Sequence, residues 1–110
     1  MAILSRDHVD KVQDFIIEKV DVPEWKGTVC LKVMSGIDRA SMEAQNKEGN
    51  DLRLPLLVRT LCDEHGVRLY ADDEEAVLGS KSSVVINRLT DTALKLNYLT
   101  AKAVDELQKN

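Results

Sequence analysis

The amino-acid sequence predicts a helix-rich α+β domain with one or two short antiparallel β-hairpins. Apolar residues recur at helical spacing in several segments, and two other regions alternate apolar and polar residues beside turn-forming residues. No repeat, linker or low-complexity tract divides the chain. At 110 residues, folding buries roughly two-thirds of the unfolded surface, which is enough for one core without metal or disulfide support. We therefore predict a single domain over residues 1–110.

The N-terminal segment has the pattern of a first helix. Ser5 is a suitable N-cap, and Leu4 and Val9 have the spacing of a hydrophobic staple. An apolar stripe then continues at near-helical spacing into the region of Val20, which predicts a helix of that length. Its members are Val9, Val12, Phe15, Ile16 and Val20.

A β-hairpin is predicted next. Pro23 prevents the helix from continuing, and Gly27 favours a turn, so residues 20–25 and 28–34 are predicted to be two short strands. Apolar residues alternate along the second strand, which predicts that one of its faces packs on the core.

A second helix is predicted to follow Ser35, which can cap it, with Asp38 at the N3 position. Its thin apolar stripe consists of Ile37, Ala40 and Ala44. The polar residues 45–50 have no period, so the helix is expected to end there in a loop.

The middle of the chain predicts a short helix that runs directly into a strand. Leu54, Leu57, Val58 and Leu61 recur at helical spacing, and Pro55 is tolerated in a first turn.

A second hairpin is expected where residues 60–62 and 67–70 flank the turn-forming residues 63–66. Gly66 can supply the positive φ that such a turn requires.

Three helices are predicted toward the C-terminus. The first is short, with acidic residues at its start and Gly79 at its C′ position, and Ser80 opens the longest helix. Asn97 and Tyr98 interrupt the pattern, and Thr100 caps a terminal helix. The seam of the longest helix contains Ser82, Ile86, Leu89, Ala93 and Leu96.

Catalytic, metal and phosphate sites have no convincing pattern. His65 lies beside Asp63 and Glu64, but the spacing matches no known ligand set, so a polar turn explains it better. Residues 79–82 are too short a match for a phosphate-binding loop. We expect no catalytic residues, no metal and no cofactor.

Composition and cysteine usage limit the partners and the compartment. The formal net charge is −4 and the pI is about 5.1, which argues against nucleic acid as the main partner. No apolar run approaches the length of about 20 residues that spans a bilayer, and no signal peptide is recognised. Cys30 and Cys62 lie in apolar runs and are expected to be free, buried and inert, which fits a reducing cytoplasm.

Protein partners are therefore the class that the sequence leaves open. Ala103, Val104 and Leu107 form the apolar edge of the terminal helix, and Leu99 has staple spacing to Val104. That edge either packs on its own domain or binds a partner as a helix in a groove. Trp25, beside a turn, either anchors an interface or covers the core.

Several segments together resemble the tail assembly chaperones of long-tailed, lambda-like bacteriophages and their prophages. Their order and spacing over about four-fifths of the chain carry the resemblance more than any one segment does. The segments are residues 22–25, 34–36, 61–70, 72–82 and 96–100. His65 and Tyr98 are departures from the usual pattern of turn residues.

The resemblance implies a non-enzymatic role in the host cytoplasm. Members of this family bind the aggregation-prone tape measure protein, keep it soluble, help to recruit tail tube subunits, and are absent from the finished virion. A longer product usually arises by a programmed frameshift, and this chain is similar to the short form. The Gln108, Lys109 and Asn110 codons are candidates for a slippery run of A residues. Self-association is also open, and a structural tail or connector component, or an unrelated regulatory adaptor, are the alternatives.

Overall fold

The computed structural model describes residues 2–45 and 51–99, and in them the chain forms helices around a small antiparallel sheet. The α+β class predicted from the sequence is confirmed. One turn of 3₁₀ helix, Pro23–Trp25, joins the first two strands. The other elements in chain order are α1 (Arg6–Lys11), β1 (Ile17–Val22), β2 (Gly27–Lys32), α2 (Gly36–Gln45), α3 (Arg53–Thr60), β3 (Leu61–Cys62), α4 (Glu75–Gly79) and α5 (Ser83–Leu96).

The sheet has the strand order β1-β2-β3, with both pairs antiparallel. Val20 lies opposite Val29, and both side chains pack against the core. Lys26, at the turn between β1 and β2, has a left-handed φ of 57°. The predicted first hairpin is therefore present, although Pro23–Trp25 forms a helical turn rather than the end of a strand.

The first helix is shorter than predicted. It ends at Lys11, and Ile17–Val22 is a strand. Because Ile17 and Val20 are β-branched and pair with β2 over the full strand, the sheet hydrogen bonds outweigh a helical stripe that was only approximate. Ser5 is confirmed as the N-cap, since its Oγ accepts a hydrogen bond of 3.3 Å from the backbone N–H of His8.

The core lies between α3, α5 and the sheet. All six residues from Pro55 to Thr60 in α3 are buried. Leu31 of β2 and Leu89 of α5 are both fully buried, which confirms the core face of β2. The predicted seam of α5 is buried at Ile86, Leu89 and Ala93, whereas Ser82 is exposed and precedes the helix. The main cluster consists of Val22, Leu31, Met34, Met42, Leu52, Leu56, Leu57, Val58, Leu61, Leu78, Val85, Ile86, Leu89, Ala93 and Leu99.

The predicted run of a helix directly into a strand is confirmed, with α3 passing into β3 at Leu61. The second hairpin is reduced to a single bridge between Cys62 and Arg68. Gly66 has the predicted positive φ, 84°.

The start of α5 differs from the prediction. Ser80 follows α4 in the right-handed region, and Ser82 is the residue that precedes α5. Gly79 is the last residue of α4 and not a left-handed C′ residue. A Cβ at this position would lie 2.8 Å from Cδ1 of Leu54, so a larger residue here would require the Leu54 side chain to shift.

The end of α5 is a Schellman motif. The backbone N–H of Tyr98 donates to the carbonyl of Lys95 and that of Leu99 donates to the carbonyl of Leu94, at 3.2 and 2.7 Å. Tyr98 occupies the C′ position with a φ of 55°, where glycine is usual. The predicted break at Asn97 and Tyr98 is confirmed, while the predicted terminal helix lies outside the described residues.

Candidate interaction surface

The polar turn around His65 is held by backbone hydrogen bonds to Asp63. Asp63 Oδ1 accepts backbone hydrogen bonds from Val67 at 3.0 Å and His65 at 2.8 Å, and these bonds lower the pKa of Asp63. His65 and Glu64 are both exposed. Within residues 2–45 and 51–99, no three His, Cys, Asp or Glu side chains are grouped to hold a metal ion.

The two cysteines are closer to each other than the sequence indicates. Cys30 of β2 lies directly opposite Cys62 of β3 in the antiparallel register. Both are free thiols, with Cys62 buried and Cys30 partly buried. Burial raises the pKa of Cys62, with the neighbouring Cys30 a smaller cause, so its nucleophilic thiolate is disfavoured.

The second helix has the opposite orientation from that predicted. Its apolar stripe faces solvent, with Ile37 83% exposed and Ala40 and Ala44 also exposed. Met42 is the buried residue of α2. The Ser35 cap is confirmed, because its Oγ accepts a 3.1 Å bond from the N–H of Asp38.

A buried arginine explains why the polar face of α2 turns inward. The Arg59 side chain is 1% exposed, and its Nη2 donates to Ser41 Oγ at 3.1 Å and to Gln45 Oε1 at 3.0 Å. Its Nη1 donates to the carbonyl of Pro55, and Asp72 lies 3.2 Å from Nη2. A buried guanidinium requires such partners, so it determines the face that α2 presents to α3.

Arg68 extends this network to the second hairpin. Its Nη1 contacts Asp38 at 3.2 Å and its Nη2 contacts Asp72 at 2.6 Å, while its Nε donates to the carbonyl of Val58. The hydrogen bond from Arg68 is the largest cause of the lowered pKa of Asp72, and the charge of Arg59 adds to it. Polar contacts thus join α2, α3 and the hairpin.

The most exposed apolar region is residues 2–16, here called the arm. Every residue of the arm is exposed, and α1 within it has no buried residue. Its large apolar residues range from 44% exposed at Val12 to fully exposed at Ile3. They are Ile3, Leu4, Val9, Val12, Phe15 and Ile16. Several large exposed apolar side chains in one segment indicate an interaction site.

The arm and the end of α5 meet at one residue. Lys32 Nζ lies 5.0 Å from the centroid of the Phe15 ring, and it donates to the carbonyl of Gly66 at 2.8 Å. The backbone carbonyl of Lys32 accepts a bond of 3.3 Å from Asn97 Nδ2, and Asn97 Oδ1 accepts from the N–H of Met34 at 2.8 Å. The base of the arm and the C-terminal end of α5 are therefore adjacent.

Two of the residues predicted to bind partners pack in or against the core, and the other three lie outside the described residues. Trp25 is partly buried and packs against the core, and Leu99 is 6% exposed and belongs to the core. Ala103, Val104 and Leu107 lie outside the described residues. The sequence pattern does not predict the contacts of Arg59, Arg68 and Asn97, because apolar periodicity carries no signal for polar side chains whose partners are distant in the chain.

A family model described as phage tail assembly chaperone matches residues 5–110. The chain belongs to this phage tail assembly chaperone family. The family predicted from the sequence segments is thereby confirmed.

A solved structure of the bacteriophage HK97 tail assembly chaperone is similar to this member of the family. The two chains are 29% identical and superpose with a TM-score of 0.63, over 78% of this chain and 85% of that one. None of the curated protein sequences matches this chain. Among the described residues, no helix of this tail assembly chaperone is long and apolar enough to cross a bilayer.

Proposed function

We propose that this tail assembly chaperone binds the tape measure protein during tail morphogenesis and keeps it soluble. The observation that carries the proposal is the arm, where six large apolar side chains are exposed beside a well-packed core. Reversible masking of apolar client segments needs such a surface, together with net charge that keeps the complex in solution. The net charge of −4 supplies the second requirement.

The proposed contact surface combines the arm with the residues expected from the sequence. Ala103, Val104 and Leu107 are proposed to contribute an apolar edge to client binding. Trp25 and Leu99 have their larger part in the core, and their proposed contribution is to hold the adjacent surface in place.

The proposed role is non-enzymatic and belongs to the host cytoplasm. The chaperone recruits the major tail tube protein to the client through a longer, frameshifted product, and both leave before the virion is complete. Self-association while the client is bound is part of the same proposal. No nucleic acid or membrane is a partner in it.

The test is coexpression with the tape measure protein encoded downstream of this gene. The double variant Val9→Asp/Val12→Asp removes two apolar contacts, each worth about 1.5 kcal/mol, so affinity should fall by about a hundredfold. Copurification and solubility of the client report the loss. Val84→Asp is the matched control, because Val84 is 67% exposed on α5 and lies outside the arm.

Three outcomes decide the proposal. Loss of client solubility with the arm variant and not with the control supports it. Equal client recovery with both variants contradicts the role of the arm. A chain that leaves the client insoluble and is found in finished particles is a structural tail or connector component instead.

A further inference from the structure

The strand β1 forms an open edge of the sheet. The opposite edge, at β3, is covered within the chain, because Cys62 forms an antiparallel bridge to Arg68. The N–H of Leu69 also donates to the carbonyl of Leu61 there, at 3.1 Å. In the described part of the chain, by contrast, no strand pairs with the outer side of β1. Such an edge presents backbone donors and acceptors that can pair with another chain.

The ladder to β2 determines which backbone groups of β1 point to this edge. The N–H of Val33 donates to the carbonyl of Ile16 at 3.1 Å and continues the β1–β2 register by one residue. Because bonded and non-bonded pairs alternate along an antiparallel ladder, the even-numbered residues of β1 direct their N–H and C=O groups toward β2. The backbone groups of Lys19 and Asp21 therefore point outward.

The side chains along this edge carry opposite charges two positions apart. Lys19 and Asp21 are both exposed, and the alternation of a strand places them on the same face of the sheet. Asp21 accepts a 2.9 Å hydrogen bond from Thr28, whereas no ion pair within the described residues involves Lys19. Val20 lies between them on the other face and packs against the core. The edge thus presents a cation, an apolar residue and an anion in sequence.

This order of charges is complementary to its own reverse in one antiparallel register. When Val20 lies opposite Val20 of a second copy, Lys19 of each copy lies opposite Asp21 of the other. A shift of two residues places Lys19 opposite Lys19, or Asp21 opposite Asp21, and like charges in these positions are destabilising. A shift of one residue opposes the core face of one strand to the outer face of the other.

We propose that two copies of the chaperone pair through β1 in this register, around a two-fold axis at Val20. Lys19 of each copy exchanges both backbone hydrogen bonds with Asp21 of the other, and their side chains form an ion pair. The two three-stranded sheets become one continuous sheet. The contact is between client-free chains and does not rest on the proposed function.

The geometry also sets the size and strength of this assembly. A two-fold contact uses the same edge of both copies, so the pairing closes at a dimer. Pro23 has no N–H to donate, so the new ladder ends where β1 ends. A contact this short has the area of a weak interface, and we expect a reversible dimer whose amount depends on concentration.

Sedimentation velocity of the full-length, client-free chaperone over a range of concentrations tests the pairing. Lys19→Glu and Asp21→Lys should each raise the dissociation constant of the dimer at least about tenfold, because each places like charges opposite each other twice. The double variant Lys19→Glu/Asp21→Lys exchanges the two charges and should restore the dimer. Lys81→Glu, at an exposed residue before α5, makes the same change in net charge as Lys19→Glu and should have no effect.

Two further measurements identify the contact as the β1 edge. An equimolar mixture of the two single variants should form a mixed dimer, because one edge is then wholly acidic and the other wholly basic. Hydrogen exchange at the amides of Lys19 and Asp21 should slow as the wild-type concentration rises, whereas exchange at Val20, whose N–H faces β2, should not change.

The proposal fails on any of four results. They are a wild-type chain that stays monomeric, a dimer that neither single variant weakens, a folded double variant that does not dimerise, and dimerisation without slower exchange at Lys19 and Asp21.

Discussion

The helix α3 and the arm have similar apolar patterns but differ in burial. In α3 six consecutive residues are buried, whereas in the arm every residue is exposed. Both segments place apolar residues near helical spacing. The difference shows that spacing identifies an apolar face, but the cover for that face depends on elements elsewhere in the chain or in a partner.

The helix α2 is an intermediate case that explains part of the difference. It buries one apolar residue, Met42, and directs Ser41 and Gln45 to the buried Arg59. Its position is therefore determined by a charge on α3. Apolar content alone does not rank these helices by burial.

The largest effect is expected from one substitution made in both regions. Leu57→Ala removes a side chain that is fully buried in α3 and should lower the free energy of unfolding by about 3–4 kcal/mol. Leu4→Ala, at a position 54% exposed in the arm, should change it by less than about 0.5 kcal/mol. Urea denaturation measures both. Equal losses would mean that the arm is as tightly packed as α3.

A smaller effect is expected at the partner of the buried charge. Asp72→Asn weakens the bonds to Arg68 and Arg59 and should cost about 1–2 kcal/mol near neutral pH. Because the folded-state pKa of Asp72 is lowered, its contribution is present above the unfolded pKa of about 3.9 and is lost as pH falls through the folded value.

The measurement is the unfolding free energy of both proteins from neutral to acid pH, where the difference should shrink below about pH 4. Asp73→Asn makes the same change at the adjacent exposed residue and serves as the control. A difference that persists unchanged into acid would show that the charge of Asp72 is not what supports α3.

The smallest effect is expected at the C-terminal end of α5. Tyr98 is 88% exposed with a φ of 55°, so Tyr98→Gly relieves backbone strain and loses little contact. It should stabilise the protein by about 0.5–1 kcal/mol, seen as a rise in Tm of about 3–5 °C. Tyr98→Ala keeps the strain and should leave Tm nearly unchanged. A fall in Tm with glycine would indicate that the Tyr98 ring is packed.

The sequence pattern predicted those elements whose conformation depends on residues close together in the chain. The Ser35 cap, the positive φ of Gly66 and the passage of α3 into β3 depend on residues a few positions apart. The buried face of α5 from Ile86 to Ala93 was predicted because its apolar residues recur at helical spacing, and those residues pack in the core. The family was also predicted, because several short segments occur together in the family's order, although no single segment is specific.

The remaining features depend on distant contacts that a single sequence does not display. The first helix ends early because β1 pairs with β2. The polar face of α2 turns inward because it binds Arg59, which lies 18 residues from Ser41 in the sequence. The exposure of the arm has the same origin. The predicted contact residues Ala103, Val104 and Leu107 lie outside the described residues and stay predictions.

The hydrogen bonds of Asn97 have a consequence for how the chain folds during synthesis. Asn97 joins Met34 and Lys32, which precede it by 63 and 65 residues. The hairpin of β1 and β2 emerges from the ribosome long before α5 exists to cover its apolar face. Contacts this distant in the chain slow folding and leave the nascent hairpin open to wrong pairing. Until α5 has been translated, the apolar face of this hairpin is exposed, and the nascent chaperone is itself prone to aggregation.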